Sequence, residues 1–247
     1  MPARNRGPQP NDHRLFGPKW RPVFRTAVHD CGWLLDRGYA EKSITQLVGN
    51  RYRLNARQRL AIQRVCASST AVARRKRSEV DRAALQRATV QIDGFNLLIL
   101  LESALAGGYV FIGRDGTWKD VASVHGTYKH VAQTEIALQL VGQYLQAAGV
   151  AKVHWYFDQP VSNSGRLKTR LRELATVHDW PWTVELVYNP DKAVAQAPGI
   201  TVSSDSWVLD HSERWFNLAG AVLADRAGLQ LIDLRQGDGG KGGGGDV

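Results

Sequence analysis

Three short runs rich in β-branched and aromatic residues end in the same way, on an acid. Residues 88–93 close on Asp93, residues 153–158 on Asp158 and residues 199–205 on Asp205. In an open parallel sheet, ligands bind beyond the carboxyl ends of the strands. If these runs are neighbouring strands, the three carboxylates meet at one edge. Clustered carboxylates repel one another, and a hard divalent cation, Mg²⁺ or Mn²⁺, removes that cost while taking oxygen ligands. Such an ion can activate water and stabilise charge on a phosphoryl group, so the expected chemistry is phosphodiester hydrolysis. For one strand-end aspartate, helix N-capping is the simpler reading. Three in register favour a site, with room for one to be structural.

The elements that would position these acids follow from hydrophobic spacing. After residue 87, strands at 88–93, 153–158, 183–188, 199–205 and 229–234 alternate with helices at 97–105, 133–148 and 164–178 and from 206 to about 227. That alternation predicts an α/β fold, a parallel sheet with helices on both faces. Residues 109–112 read as strand or extended loop, and 113–126 as loop. Before residue 88 strand signals are missing. Val23, Phe24, Ala27, Val28, Cys31, Leu34 and Leu35 follow helical spacing, with Gly38 as a stop. Ser43 and Asn55 can cap second and third helices, and a charged fourth runs from Val72 to Leu85. The expected domains are a flexible leader (1–18), a basic all-α bundle (19–87), the α/β domain (88–235) and a disordered Gly-rich tail (236–247).

Charge is divided unevenly between these parts. Residues 1–90 hold 19 Lys and Arg against 6 Asp and Glu, a net of +13; residues 91–247 hold 13 against 17, a net of −4. A basic module beside a mildly acidic one suits a polyanion held by the first and processed by the second. Cys31 and Cys66 lie in no metal-ligand spacing and read as small buried hydrophobes. His125, His130, His154, His178 and His211 show no ligand spacing either, though His211 stands beside Asp210. No apolar run of 18 residues occurs, and the first residues lack the apolar core of a secretory signal, so the expected location is the cytoplasm, away from membranes.

The segment Ile92-Asp93-Gly94-Phe95-Asn96-Leu97-Leu98 resembles the opening Asp-Gly-Tyr-Asn motif of the PIN-like nuclease superfamily, and Val202-Ser203-Ser204-Asp205-Ser206 resembles its later Ser/Thr-x-Asp element. The resemblance covers about residues 89–234. With the helical module ahead and Phe-Asp-x-Pro-x-Ser-x-Ser-Gly at 157–165, the chain is similar to an uncharacterised prokaryotic family of this two-part layout. The resemblance implies a PIN-like, Rossmann-like sheet and metal-dependent cleavage of RNA or DNA. Asp93 and Asp205 match motif positions, and Asp158 is an additional ligand. The superfamily also places an acid on a helix between the first and third strands; Glu135 and Glu102 are the candidates, with Glu135 preferred. Asp210 is a further one, its alternative being a favourable helix-dipole interaction.

Among supporting residues, Asn96 orients a carboxylate or backbone group near Asp93, or caps a helix, and Ser204 belongs to the second motif. Ser162, Ser164 and Gly165 open a helix carrying Arg166 and Lys168, where backbone N–H groups and cations could hold a phosphate. In the basic module, Arg51, Arg53, Arg57 and Arg59 flank Tyr52, and Arg74, Arg75, Lys76 and Arg77 form a second cluster; a solvated helical face is the ordinary alternative. The leading expectation is a nuclease, RNA before DNA, with the basic helices gripping the phosphate backbone in a salt-dependent manner and a homodimer allowed. The runner-up is a non-catalytic nucleic-acid-binding or regulatory protein on an inactive PIN-like scaffold. A third reading, a module docking an acidic protein, expects an exposed apolar patch on the helices.

Overall fold

The computed structural model describes residues 6–122 and 128–235. The Gly-rich tail and His125 lie outside the described residues. Among the described residues, helices α1 (Asp12–Leu15), α2 (Arg21–Leu35), α3 (Glu41–Arg51), α4 (Ala56–Val65) and α5 (Ser69–Ser78) come first. α2 buries Phe24, Ala27, Val28 and Cys31, the stripe expected from its spacing. α4 starts in a capping box, the Asn55 side chain accepting from Gln58 N–H while the Gln58 side chain accepts from Asn55 N–H. Then follow β1 (Thr89–Asp93), α6 (Gly94–Leu105), β2 (Tyr109–Ile112), β3 (Trp118–Asp120), α7 (Ala132–Ala147), β4 (Lys152–Asp158) and α8 (Ser164–His178). β5 (Trp182–Val187), α9 (Pro190–Gln196), β6 (Ile200–Val202), α10 (Ser206–His211), α11 (Leu218–Leu223) and β7 (Gln230–Asp233) complete the order.

The central sheet has the order β5-β4-β1-β6, every pairing parallel. All four strands therefore end at the same edge. Asp93 lies opposite Tyr156, and Asp158, two residues on, opposite Val187. Val153, Trp155 and Phe157 alternate inward from β4 into the core beneath α6 and α8, as a period of two requires. The chain thus has an N-terminal helical region followed by an α/β domain whose parallel sheet is flanked by helices.

Several sequence-based expectations differ: Ser43 lies inside α3 rather than at its cap, and the fourth helix ends at Ser78 instead of reaching Leu85. The strand at the end of the chain does not extend the central sheet: β7 pairs parallel with β2, and β2 pairs antiparallel with β3, which forms inside the stretch expected as loop. This second sheet is buried on both faces. Val110, Ile112 and Trp118 join the α/β core, whereas Phe111 and Ile232 pack with Phe16, Phe24 and Ile62 of the helices. The leader, expected as flexible, is held in its described part: Phe16 is fully buried, with its ring 5.1 Å from that of Phe111. Burying such a ring is worth roughly 2–3 kcal/mol, which offsets the backbone ordering of about two residues. The expected last helix is split into α10 and α11, because Trp215 is fully buried and its backbone bonds to Ser78 and Val80. Finally, β6 stops at Val202, so Asp205 sits past the strand end rather than on it.

Candidate functional site at the carboxyl edge

Each strand of the central sheet delivers one aspartate to this edge: Asp191 after β5, Asp158 on β4, Asp93 on β1 and Asp205 after β6. Two of them, Asp93 and Asp191, are raised by the charges of the others. Burial pushes the Asp93 carboxyl up to about 7, the negative charges of Asp191 and Asp205 add to the rise, and the Ser203 hydroxyl opposes it. Asp191 is raised by partial burial and by Asp205 and Asp158; Asp158 is raised by burial. Among the described residues no cationic side chain forms an ion pair with any of the four; Arg64, Arg75 and Arg170 are bound to other acids, and Lys119 acts on Asp205 only from beyond ion-pair distance.

The local backbone explains two of these roles. Asp93 occupies the N-cap position of α6 without a cap bond of full geometry, although the N–H of Asn96 still acts on its carboxyl. Asp93 accepts from Ser203 Oγ at 2.8 Å. Asp205 does cap α10, Oδ1 accepting from the N–H groups of Trp207 (2.8 Å) and Val208 (3.2 Å). Its own N–H donates to Ser203 Oγ at 3.0 Å, so one hydroxyl joins both acids. Asn96, a turn after Asp93, accepts through Oδ1 from Ser204 N–H (2.7 Å) and Ser204 Oγ (2.8 Å), tying α6 to the loop that carries Asp205. Gly94 is required here by packing: a Cβ would lie 2.3 Å from the Phe157 ring.

The other expected ligands lie elsewhere. Glu135 is gripped by Arg170 through two bonds of 2.8 Å and faces His130 at 3.3 Å. Asp210 binds Arg75 at 2.8 and 2.9 Å and Arg74 at 2.5 Å. Glu102 is fully buried with Arg6, Tyr128 and Thr134. His211 bonds to the Trp207 carbonyl rather than to Asp210. Among the described residues, no group of three or more His, Cys, Asp or Glu is placed so that it could hold a metal ion.

The basic clusters are divided in the same way. Arg57 is bound to the buried Asp12 at 2.5 and 2.8 Å. Arg75 is 3% exposed between Asp115 and Asp210. These two, expected as nucleic-acid contacts, are structural ion pairs, because each reaches a buried acid far away in sequence. Arg51 lies beside Tyr52 and 3.8 Å from Asp30. Arg51, Arg53, Arg74, Lys76, Arg77 and Arg166 are exposed and Lys168 is half-buried.

Missed by sequence reading were Asp191, Ser203, Arg64, Lys119 and Asp120. Asn189-Pro190 before Asp191 is a helix-start signature that could have exposed α9: Asn189 caps it by accepting from Lys192 N–H at 3.0 Å, and Pro190 fills its first turn. Lys119 and Asp120 carried no signal, since β3 was not foreseen. Beside the strand ends, a cleft of about 340 Å³ opens between the helical module and the sheet, lined by Glu41, Arg64, Asn96, Lys119, Asp120 and Asp205 among others.

A helical module packed on the second sheet, with a polar cleft between it and the carboxyl edge of the parallel sheet, defines a two-part protein. The sequence divides at the same place: a model described as "Protein of unknown function (DUF434)" matches residues 23–77, and one described as "Domain of unknown function (DUF5616)" matches residues 82–221. The chain belongs to the DUF5616 family, with a DUF434 domain ahead of it. It is similar to "Uncharacterized protein MJ0935" of Methanocaldococcus jannaschii, 30% identical over 183 residues, which cover 74% of this chain and 87% of that protein. No solved structure matches. No helix among the described residues is long and apolar enough to cross a membrane.

Proposed function

We propose that the chain is a metal-dependent phosphodiesterase acting on nucleic acid, RNA before DNA, on a PIN-like α/β scaffold. One observation carries this reading: each of four adjacent parallel strands contributes an aspartate to one edge, and none is ion-paired among the described residues. Uncompensated carboxylates cost free energy unless a cation joins them. The donor set is all oxygen, which suits Mg²⁺ or Mn²⁺. Mg²⁺ binds through one or two carboxylates, keeping waters and taking substrate phosphates, so a pair such as Asp93 and Asp205 suffices without a three-acid cage. When bound, the ion would supply an activated water and balance phosphoryl charge.

The chain's own residues do the rest. Asp93, raised to about 7 by burial without a cation, would give up its proton to join Asp205 in holding the ion. Ser203 and Asn96 fix the two acid-bearing segments against each other. The exposed Arg51, Arg53, Lys76 and Arg77 would add sequence-independent grip on the phosphate backbone. The test is cleavage of single-stranded RNA in Mn²⁺ by wild type, Asp93→Asn and Asp205→Asn. Losses of about a hundredfold or more are expected for Asp93→Asn. Equal rates in wild type and Asp93→Asn would end the reading.

The absence of a three-acid metal group among the described residues favours a second reading, a nucleic-acid binder on an inactive scaffold. It predicts RNA binding that Mn²⁺ does not alter and no cleavage. The apolar groove of about 510 Å³ between α2 and α3, lined by Trp33, Leu34, Leu47 and Val48, is what a protein-docking module would require.

A further inference from the structure

The junction cleft contains a buried cation that, among the described residues, no acid meets at ion-pair distance. Lys119, on β3, is 6% exposed, and its ammonium donates to the Ser204 carbonyl. An ammonium has three donors. Among the described residues no carboxylate forms an ion pair with it; the charges of Asp115 and Asp205 favour the ammonium from further away, and both acids make their closest contacts elsewhere. Asp115 is bound by Arg75 and Thr117, Asp120 by Arg64 and the Ala122 N–H, and Asp205 by the start of α10. Burial outweighs those charges and leaves the ammonium disfavoured in its pocket. A molecule that carried an anionic oxygen into the cleft would relieve that cost.

Arg64 faces the same space from α4. It is half-buried, and only its Nη1 is engaged, donating to the Asp120 carbonyl at 3.0 Å and to Asp120 Oδ1 at 3.3 Å. A guanidinium has five N–H donors in a planar fork that matches phosphate. Glu41 and Asp120 also line the cleft and repel anions, which confines a favourable position to the side of Lys119 and Arg64.

We propose that Lys119 and Arg64 bind a phosphoryl oxygen of a nucleic-acid substrate in this cleft, next to Asp205. The proposal rests on the phosphodiesterase reading for the identity of the substrate. It makes the site a joint product of the helical module, the second sheet and the central sheet, and neither half of the chain supplies it alone.

The test uses the full chain, in EDTA, with a fluorescent phosphorothioate single-stranded RNA that resists cleavage. Lys119→Met and Arg64→Gln should each weaken binding about tenfold or more and lower the salt slope by about one. Lys119→Met should melt no lower than wild type, since it replaces an ammonium whose burial outweighs the favourable charges around it. Unchanged affinity and slope in both variants would overturn the proposal. So would a Lys119→Met protein that melts much lower yet binds normally, which would make Lys119 a structural strut. If Lys119→Met does not fold, Arg64→Gln decides alone. Weakened binding in the two variants, together with a wild type that never cleaves RNA, would leave the phosphate site standing and remove the nuclease reading.

Discussion

The Ser203 hydroxyl donates to the Asp93 carboxylate across 2.8 Å, and this one bond spans 110 residues of sequence to join the ends of β1 and β6. It opposes the rise that burial imposes on Asp93. Removing it by Ser203→Ala should therefore move the Asp93 transition further to the alkaline side. Carboxyl NMR titration, or the pH profile of cleavage, would read the displacement; an acid shift would contradict the geometry.

Asp93 also ties stability to pH. Its ordinary value is 3.8 and its folded value about 7, so between these pH values the folded chain binds the extra proton. The stabilisation is full below about pH 4 and is lost as pH rises through 7, by roughly 4 kcal/mol in all. Asp93→Asn should then melt higher than wild type at pH 8 and near wild type at pH 4. Mn²⁺ at pH 8 should raise the wild-type melting temperature and leave Asp93→Asn unmoved. Parallel melting curves for the two proteins across the pH range would refute this coupling.

Asp191→Asn tests the fourth acid, which lies outside both motifs. Its charge raises Asp93, so its removal should lower the Asp93 transition and weaken Mn²⁺ binding. Calorimetric titration with Mn²⁺ would show the loss; wild-type affinity would place Asp191 outside the site.

Arg75 and Arg77 are two residues apart and should behave oppositely. Breaking the buried contacts of Arg75 with Asp115 and Asp210 by Arg75→Met should cost about 3–5 kcal/mol. Arg77 is exposed, and Arg77→Ala should leave the melting temperature alone while lowering the salt slope of RNA binding by about one. Denaturant melts and salt-dependent binding separate the two; similar melts would be the contrary result.

Gly94→Ala should cost about 1–3 kcal/mol through overpacking, because the new methyl would meet the Phe157 ring at 2.3 Å. Loss of activity in this variant should follow displacement of Asp93 and Asn96, and a crystal structure or melting curve would register it.

The sequence by itself determined the features that depend on near neighbours. Helical spacing, the Asn55 cap, the alternation of strand and helix, and the acids at Asp93 and Asp158 were all legible, because periodicity and capping are set by short-range sterics and hydrogen bonds. What the tertiary structure decided was partnership. Glu135 and Asp210 matched Asp93 in residue type, but Arg170, Arg74 and Arg75 capture them, and nothing in local spacing marks those pairs. β7 left the central sheet for β2, and β3 brought Lys119 to the cleft, since burial of both faces of the second sheet fixed a choice that strand propensity leaves open. Charge and polarity are properties of residues, whereas the distances that turn them into a site arise only when strand order and packing bring remote segments together.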